Sequence, residues 1–252
     1  MTAPVLLALA LGAQAPAVDL DTGSDPEKIL IAANNRYDSA DFAGAAALYH
    51  RLVALGVDNG HVYYNLGNAS LRAGQLGHAV AAYLMARGRM PRDSDVRANL
   101  EFARRATKDA LLPPAPSPVW RTLFFWHYSL SRAELLWLAC GANLLLWALL
   151  ALRLVRRTSD VLGWLVATAA VLFVAVGAST AIRFVSPTTV AVVLAPEVDV
   201  HSGTSHDSVV RFKLHAGTEA WVTGREQGWV RLQLPEDKQG WVEDGEVAVA
   251  SW

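Results

Sequence analysis

The sequence predicts a multidomain membrane protein, with an all-α helical-repeat domain, a two-helix transmembrane hairpin and a small all-β barrel in that order. Three observations predict it. Small, apolar and aromatic residues recur at an offset of 34 between residues 26 and 108. Two apolar runs of membrane-spanning length follow. The last quarter is a series of short alternating runs punctuated by glycine and tryptophan. Composition agrees: 53% of the chain is hydrophobic and 18% charged, against about 25% charged in soluble proteins. The net charge of -1 gives no reason to expect a nucleic-acid partner. One cysteine, Cys140, excludes an intrachain disulfide, so any part outside the cytoplasm folds without one.

Residues 1–17 read as a signal peptide. The run is short and apolar, and Ala13-Gln14-Ala15 and Ala15-Pro16-Ala17 both fit a small-x-small cleavage site. No Lys or Arg precedes it, so an uncleaved anchor is the alternative.

The repeat domain spans 26–110. Asn65-Leu66 recurs as Asn99-Leu100, Ala79 and Tyr83 step back to Ala45 and Tyr49, and Leu76 to Phe42. The fullest copy, from about 60 to 93, carries Tyr63, Leu66-Gly67, Gly74, Leu76, Ala79, Tyr83, Ala86 and Pro91. Gly67 and Ala79 are small where two antiparallel helices cross closely, and Tyr83 fills the gap to the next repeat. Gly74 ends one helix and Pro91 cannot continue the other. A third, partial copy predicts a capping helix over 93–108. This pattern resembles the tetratricopeptide repeat, with two departures: Leu52 stands where Ala86 predicts a small residue, and Val57 where Pro91 predicts proline.

Four prolines make 111–119 a stiff linker. Residues 120–133, with Trp120, Phe124, Phe125, Trp126 and Tyr128, read as an aromatic belt at a membrane interface. The membrane helices are expected at 134–152 and 161–182, with apolar runs at 135–152 and 161–182 of about 27 and 33 Å against a hydrocarbon core of about 30 Å. The loop 153–160 carries Arg153, Arg156 and Arg157, which places it in the cytoplasm. Two crossings return the chain to its starting side, so both flanking domains share one compartment. Glu134 reads as a helix cap, Asn143 as a packing residue seeking Ser179, Thr180 or a partner, and Cys140 as a small apolar filler.

Strands are expected over 189–194, 209–214, 218–222, 229–234 and 240–242. Val198-Asp-Val-His-Ser-Gly203, Gly217-Thr218, Gly228-Trp229-Val230-Arg231-Leu232 and Gly240-Trp241-Val242 together resemble a bacterial SH3-like domain over 187–252. Asp199-Val200-His201 replaces the family's usual Asn-Val-Arg.

The order of the parts is similar to the BatE-type proteins of bacterial aerotolerance operons. That resemblance implies a two-pass inner-membrane protein with both soluble domains in the periplasm, and a scaffolding role in stress tolerance. It also implies membrane and periplasmic partners, von Willebrand A-domain proteins among them, and a MoxR-type ATPase as neighbour. The bilayer itself is a further partner.

Catalysis is not expected: the chain contains no HExxH, CxxC, P-loop or GxSxG motif. Neither is a cofactor or a metal, and His201 and His206 read as a solvated loop. In tetratricopeptide domains the first helix of each pair lines a concave groove, which by family position holds Asn34, Tyr64, Asn65, Asn68, Arg72 and Asn99. Amide side chains pair with both the N–H and C=O of an extended peptide, so these residues form the candidate peptide-binding site. Internal cross-linking of the repeats by the same asparagines is the competing reading. A cell-wall or peptide-sensing receptor, with the SH3-like domain taking peptidoglycan, is the alternative function.

Overall fold

The structure, a computed structural model, describes residues 25–109, 117–157, 159–185, 189–235 and 237–251. The expected signal segment and residues 111–116 of the linker lie outside them. The chain divides into two compact units: Met1–Pro114 with Thr189–Ser251, and Ala115–Thr188.

The first unit opens with five helices, α1 (Pro26–Asp38), α2 (Phe42–Ala54), α3 (Gly60–Arg72), α4 (Leu76–Arg89) and α5 (Ser94–Arg105). Helices α1, α3 and α5 start 34 residues apart, as do α2 and α4. Short polar side chains start most of them: Asp25, Asp41, Asn59 and Asp93 each accept a bond from a backbone N–H of the first turn. After the α3 C-cap at Ala73, Gly74 takes φ +77°, a left-handed conformation that only glycine adopts cheaply. Gly67 has a second reason to be glycine, since a Cβ there would lie 2.5 Å from the Tyr83 ring. Ile29, Leu52, Leu84 and Leu100 are each at most 2% exposed, and such burial stabilises by about 1.5–3 kcal/mol per side chain.

Seven antiparallel strands complete the unit: β1 (Thr189–Val193), β2 (Glu197–His201), β3 (Val210–His215), β4 (Glu219–Glu226), β5 (Trp229–Gln233), β6 (Gln239–Glu243) and β7 (Val247–Ser251). They form one sheet in the order β3-β2-β6-β5-β4-β1-β7. Bulges at Val200/His201 and Val222/Gly224 bend the sheet. Its core joins Val193, Val198, Leu214, Val230, Leu232 and Val242.

The helices and the sheet dock against each other. Helix α4 is buried nearly all round because it lies between α3 and α5 on one side and β1 and β7 on the other. Close approach needs small residues: a Cβ on Gly77 would sit 2.2 Å from the Val193 carbonyl oxygen. Charge then locks the joint. The Arg104 guanidinium donates to both carboxylate oxygens of Glu219, at 2.6 and 2.8 Å, and the Glu219 side chain is 2% exposed. Arg87 lies in the same field; burial, with Arg104 adding to it and Glu219 opposing, brings its pKa down to about 10. Just beyond α5, the Asp109 carboxylate accepts from the His215 N–H at 2.7 Å and the Thr218 hydroxyl at 2.8 Å, beside the His215 ring at 3.0 Å. Burial works against the Asp109 charge, but the bonds from Thr218 and His215 outweigh it and hold the carboxyl below its usual range.

The second unit contains α6 (Pro118–Leu123), α7 (Phe125–Ser129), α8 (Arg132–Val155) and α9 (Asp160–Val185). The last two are packed against each other and are long and apolar enough to cross a membrane. Only 6% and 22% of their most apolar windows are buried within the protein, unlike the core helix of a soluble domain. Both run somewhat beyond the expected 134–152 and 161–182. At the start of α8, a capping box between Ser131 and Glu134 adds the first turn. Helices α6 and α7 carry the exposed aromatic cluster, with Trp120 stacked on Phe124 at 5.6 Å. His127 contacts the Ser179 hydroxyl at 2.6 Å, and the Arg183 guanidinium donates to the carbonyl oxygens of His127 and Leu130. The Thr180 hydroxyl donates to the Val176 carbonyl. Ser179 and Thr180, expected with a partner protein as possible contacts for Asn143, make these bonds on α7 and α9. Cys140 is exposed on α8 rather than filling a gap.

Candidate functional site

The six predicted groove residues lie on α1, α3 and α5, and five of them belong to a periodic hydrogen-bonded ladder. The Tyr49 hydroxyl of α2 donates to Asn34 Oδ1 at 2.6 Å, and the Tyr83 hydroxyl of α4 donates to Asn68 Oδ1 at 2.7 Å. An amide of the following first helix lies beside each phenol, Asn65 by Tyr49 and Asn99 by Tyr83, and works against the rise in its pKa. The two rungs, Asn34–Tyr49–Asn65 and Asn68–Tyr83–Asn99, repeat at the period of the helices. Asn99 Nδ2 further donates to Asn68 Oδ1 at 2.9 Å and to the Tyr64 hydroxyl at 3.2 Å. Burial raises the pKa of both Tyr49 and Tyr83, so both phenols remain donors at any physiological pH.

Arg72 stands outside the ladder. It is exposed, and its guanidinium lies 4.7 Å above the Phe42 ring. The asparagines therefore fix the registry between helices, while their half-exposed amides keep hydrogen-bonding capacity. An Asn side chain has two donors and a two-lone-pair acceptor, more than one Tyr bond consumes. Tyr49 and Tyr83 were not among the predicted site residues; the signal was the constant spacing of 15 from Asn34 and Asn68.

A second concave feature lies on the sheet. A cleft of about 350 Å³ is lined by Glu197, Asp199, Glu243 and Glu246, with His201, His206, Lys213 and Trp229. Both histidines meet the Trp229 ring edge-on, with centroids at 5.3 and 5.2 Å. His206 Nδ1 lies 3.2 Å from a Glu243 oxygen. The pair expected as a solvated loop thus converges on one ring. Burial, reinforced by Glu243 and Asp199, raises the pKa of Glu246. Among the described residues, no group of three or more His, Cys, Asp or Glu is arranged to hold a metal ion. No protein-family model matches the chain, and no curated protein matches it either.

Proposed function

We propose that the protein is a non-catalytic, membrane-anchored adaptor that grips an extended peptide of a partner along the amide face of its helical repeats. The observation that carries this reading is the Asn–Tyr ladder, which repeats with the helices and presents pre-aligned amides on α1, α3 and α5. Locking each amide by a phenol lowers the entropy lost when a peptide backbone binds. On this reading the helices are tetratricopeptide repeats and the sheet is an SH3-like domain. The helix pair α8–α9 spans the bacterial inner membrane with the Arg153–Arg157 loop in the cytoplasm, so the repeats and the sheet face the periplasm. The BatE-like order of parts assigns the partners to von Willebrand A-domain membrane proteins and the role to stress tolerance.

The test is cross-linking in intact membranes, read by mass spectrometry, for the natural chain and for an Asn65→Ala/Asn68→Ala variant. Partner capture is expected to fall in the variant. Undiminished capture with an intact fold sinks the groove. Reporter fusions after residues 110, 157 and 252 test the orientation; a cytoplasmic signal at 110 or 252 overturns it.

The cleft around Trp229 favours a second reading, a receptor for cell wall or peptide, because it offers a concave acidic surface with an aromatic wall. Co-sedimentation of the full chain with purified sacculi separates the two; retention lost on Glu243→Gln/Glu246→Gln supports the receptor, and no retention supports the adaptor.

A further inference from the structure

The joint between the helices and the sheet contains a partly open apolar pocket of about 20 Å³. Its walls come from α2 and α3 through His50, Tyr63 and Leu66, from α4 through His78, Ala81, Ala82 and Met85, and from the sheet through Leu194 and residues 248–250. Two histidines in so apolar a wall need an explanation. His50 Nε2 is buried and makes no hydrogen bond. A pure packing role would be served better by leucine, which leaves no polar atom unpaired.

We propose that this joint is a proton-sensitive latch, in which protonation of His50 and His78 at acidic pH loosens the packing of α4 against β1 and β7. The geometry makes the charged state costly. The two residues are half-buried, and the narrow part of the pocket holds about one water molecule, so the buried His50 Nε2 gains little hydration on protonation. The lining residues include no carboxylate to pair with either ring. Tyr63 is the third titratable lining group, and its burial keeps the phenol neutral. The Arg89 guanidinium lies 4.5 Å above the Tyr63 ring and is paired with Asp58. Burial lowers the pKa of both histidines, and for His78 the facing His50 adds to the effect.

The sign follows. Open, the rings titrate near their ordinary value of about 6.5; closed, they titrate lower. The open state therefore binds more protons as pH falls below about 6.5, and closure weakens down to the lowered pKa. Two other groups bear on the same joint. The His215 ring lies between Asp109 and Glu197, with Lys108 Nζ at 2.8 Å, so it is held by polar partners on every side. The Asp109 carboxyl, held low, stays charged through this range. His50 and His78 have no such carboxylate among the residues lining their pocket, so protonating them favours opening. The latch does not depend on what the groove binds.

The experiment is hydrogen exchange by mass spectrometry on the full chain in nanodiscs, at about pH 7.5 and about pH 5, corrected for the intrinsic pH dependence of exchange. The natural chain is expected to lose protection several-fold and reversibly at the lower pH, in peptides covering 76–89 and 247–251. The loss should vanish in His50→Gln/His78→Gln and persist in His215→Gln. Unchanged protection in the natural chain, or the same loss in the double variant, overturns the latch. Should the double variant lack protection at about pH 7.5, the single variants decide. Each must lose less at the lower pH than the natural chain, and a single variant with the full loss overturns the proposal.

Discussion

Glu219→Ala is the sharpest perturbation of the first unit, because Glu219 offsets the charge of two arginines. Its carboxylate takes two bonds from Arg104, and its field reaches Arg87. Truncation leaves both guanidiniums in a joint where the lost partner was 2% exposed. Removing one partner of a buried ion pair costs about 3–5 kcal/mol. The Arg104 side chain is 18% exposed, so water screens part of the cost and the expected loss is about 3 kcal/mol. For a unit of this size that corresponds to a Tm lower by roughly 6–12 °C. The assay is thermal unfolding of the full chain in detergent, followed by far-ultraviolet circular dichroism. A paired replacement, Glu219→Leu with Arg104→Met, is expected to recover much of the loss, because the cost lies in an unpaired charge rather than in the missing contact. A Glu219→Ala melt within 2 °C of the natural chain refutes the reasoning. So does a paired variant as unstable as the single one.

Two further outcomes follow from the same joint. Gly77→Ala places a methyl 2.2 Å from the Val193 carbonyl oxygen, so α4 must shift off β1 at a cost of about 1–3 kcal/mol; cleavage by protease in β1 or β7 should accelerate in this variant. Asp109 contributes stability that is present above its unfolded pKa of about 3.9 and is lost as pH falls through the lower folded value. An acid titration of Asp109→Asn should show a shallower decline below about pH 4 than the natural chain does.

Much of the helical layer was legible because its constraints are local. Helix starts 34 apart follow from caps and glycines near in sequence, and Gly67 with Tyr83 spells out a close crossing 16 residues apart. The two apolar helices were legible for the same reason. The joint was not. Arg104 and Glu219 are 115 residues apart, and Asp109 and His215 are 106 apart; each reads in isolation as an ordinary surface charge. One signal was present: Gly77, Ala79, Ala81, Ala82, Ala86 and Gly88 surround α4 with small residues, and a helix small on every face is packed on every face. Strand β7 escaped for a related reason. Its sequence Val-Ala-Val-Ala shows no polar alternation because one side meets the sheet core and the other meets α4. In the candidate groove the asparagines and Tyr64 were singled out from the sequence and Tyr49 and Tyr83 were not, since an aromatic at a repeat position reads first as filling.

The docking of segments from before and after the hairpin constrains the topology more tightly than hydropathy does. Helix α4 precedes α8 and α9, while its sheet partners β1 and β7 follow them. If α8 and α9 cross a bilayer, an odd number of crossings would put it between surfaces that are in contact, so the segment between the halves would have to return to the side it left. It follows that the hairpin is an insertion whose removal should leave the first unit folded. The gap to be bridged is short. Asp109 bonds Thr218, the Thr218 carbonyl accepts from Val193, and Val193 lies four strand residues, about 13 Å, from Thr189. Adding the length of those contacts gives about 25 Å between Asp109 and Thr189, within reach of a Gly/Ser linker of about 20 residues, whose mean span is about 22–27 Å. Replacing 110–188 by that linker is expected to give a water-soluble protein. It should keep the helix and sheet signature of the first unit, and Glu219→Ala should lower its Tm as in the full chain. A product that aggregates or unfolds, with folding restored only by the hairpin, would show that the joint is imposed by α8 and α9 rather than made by the surfaces of α4, β1 and β7.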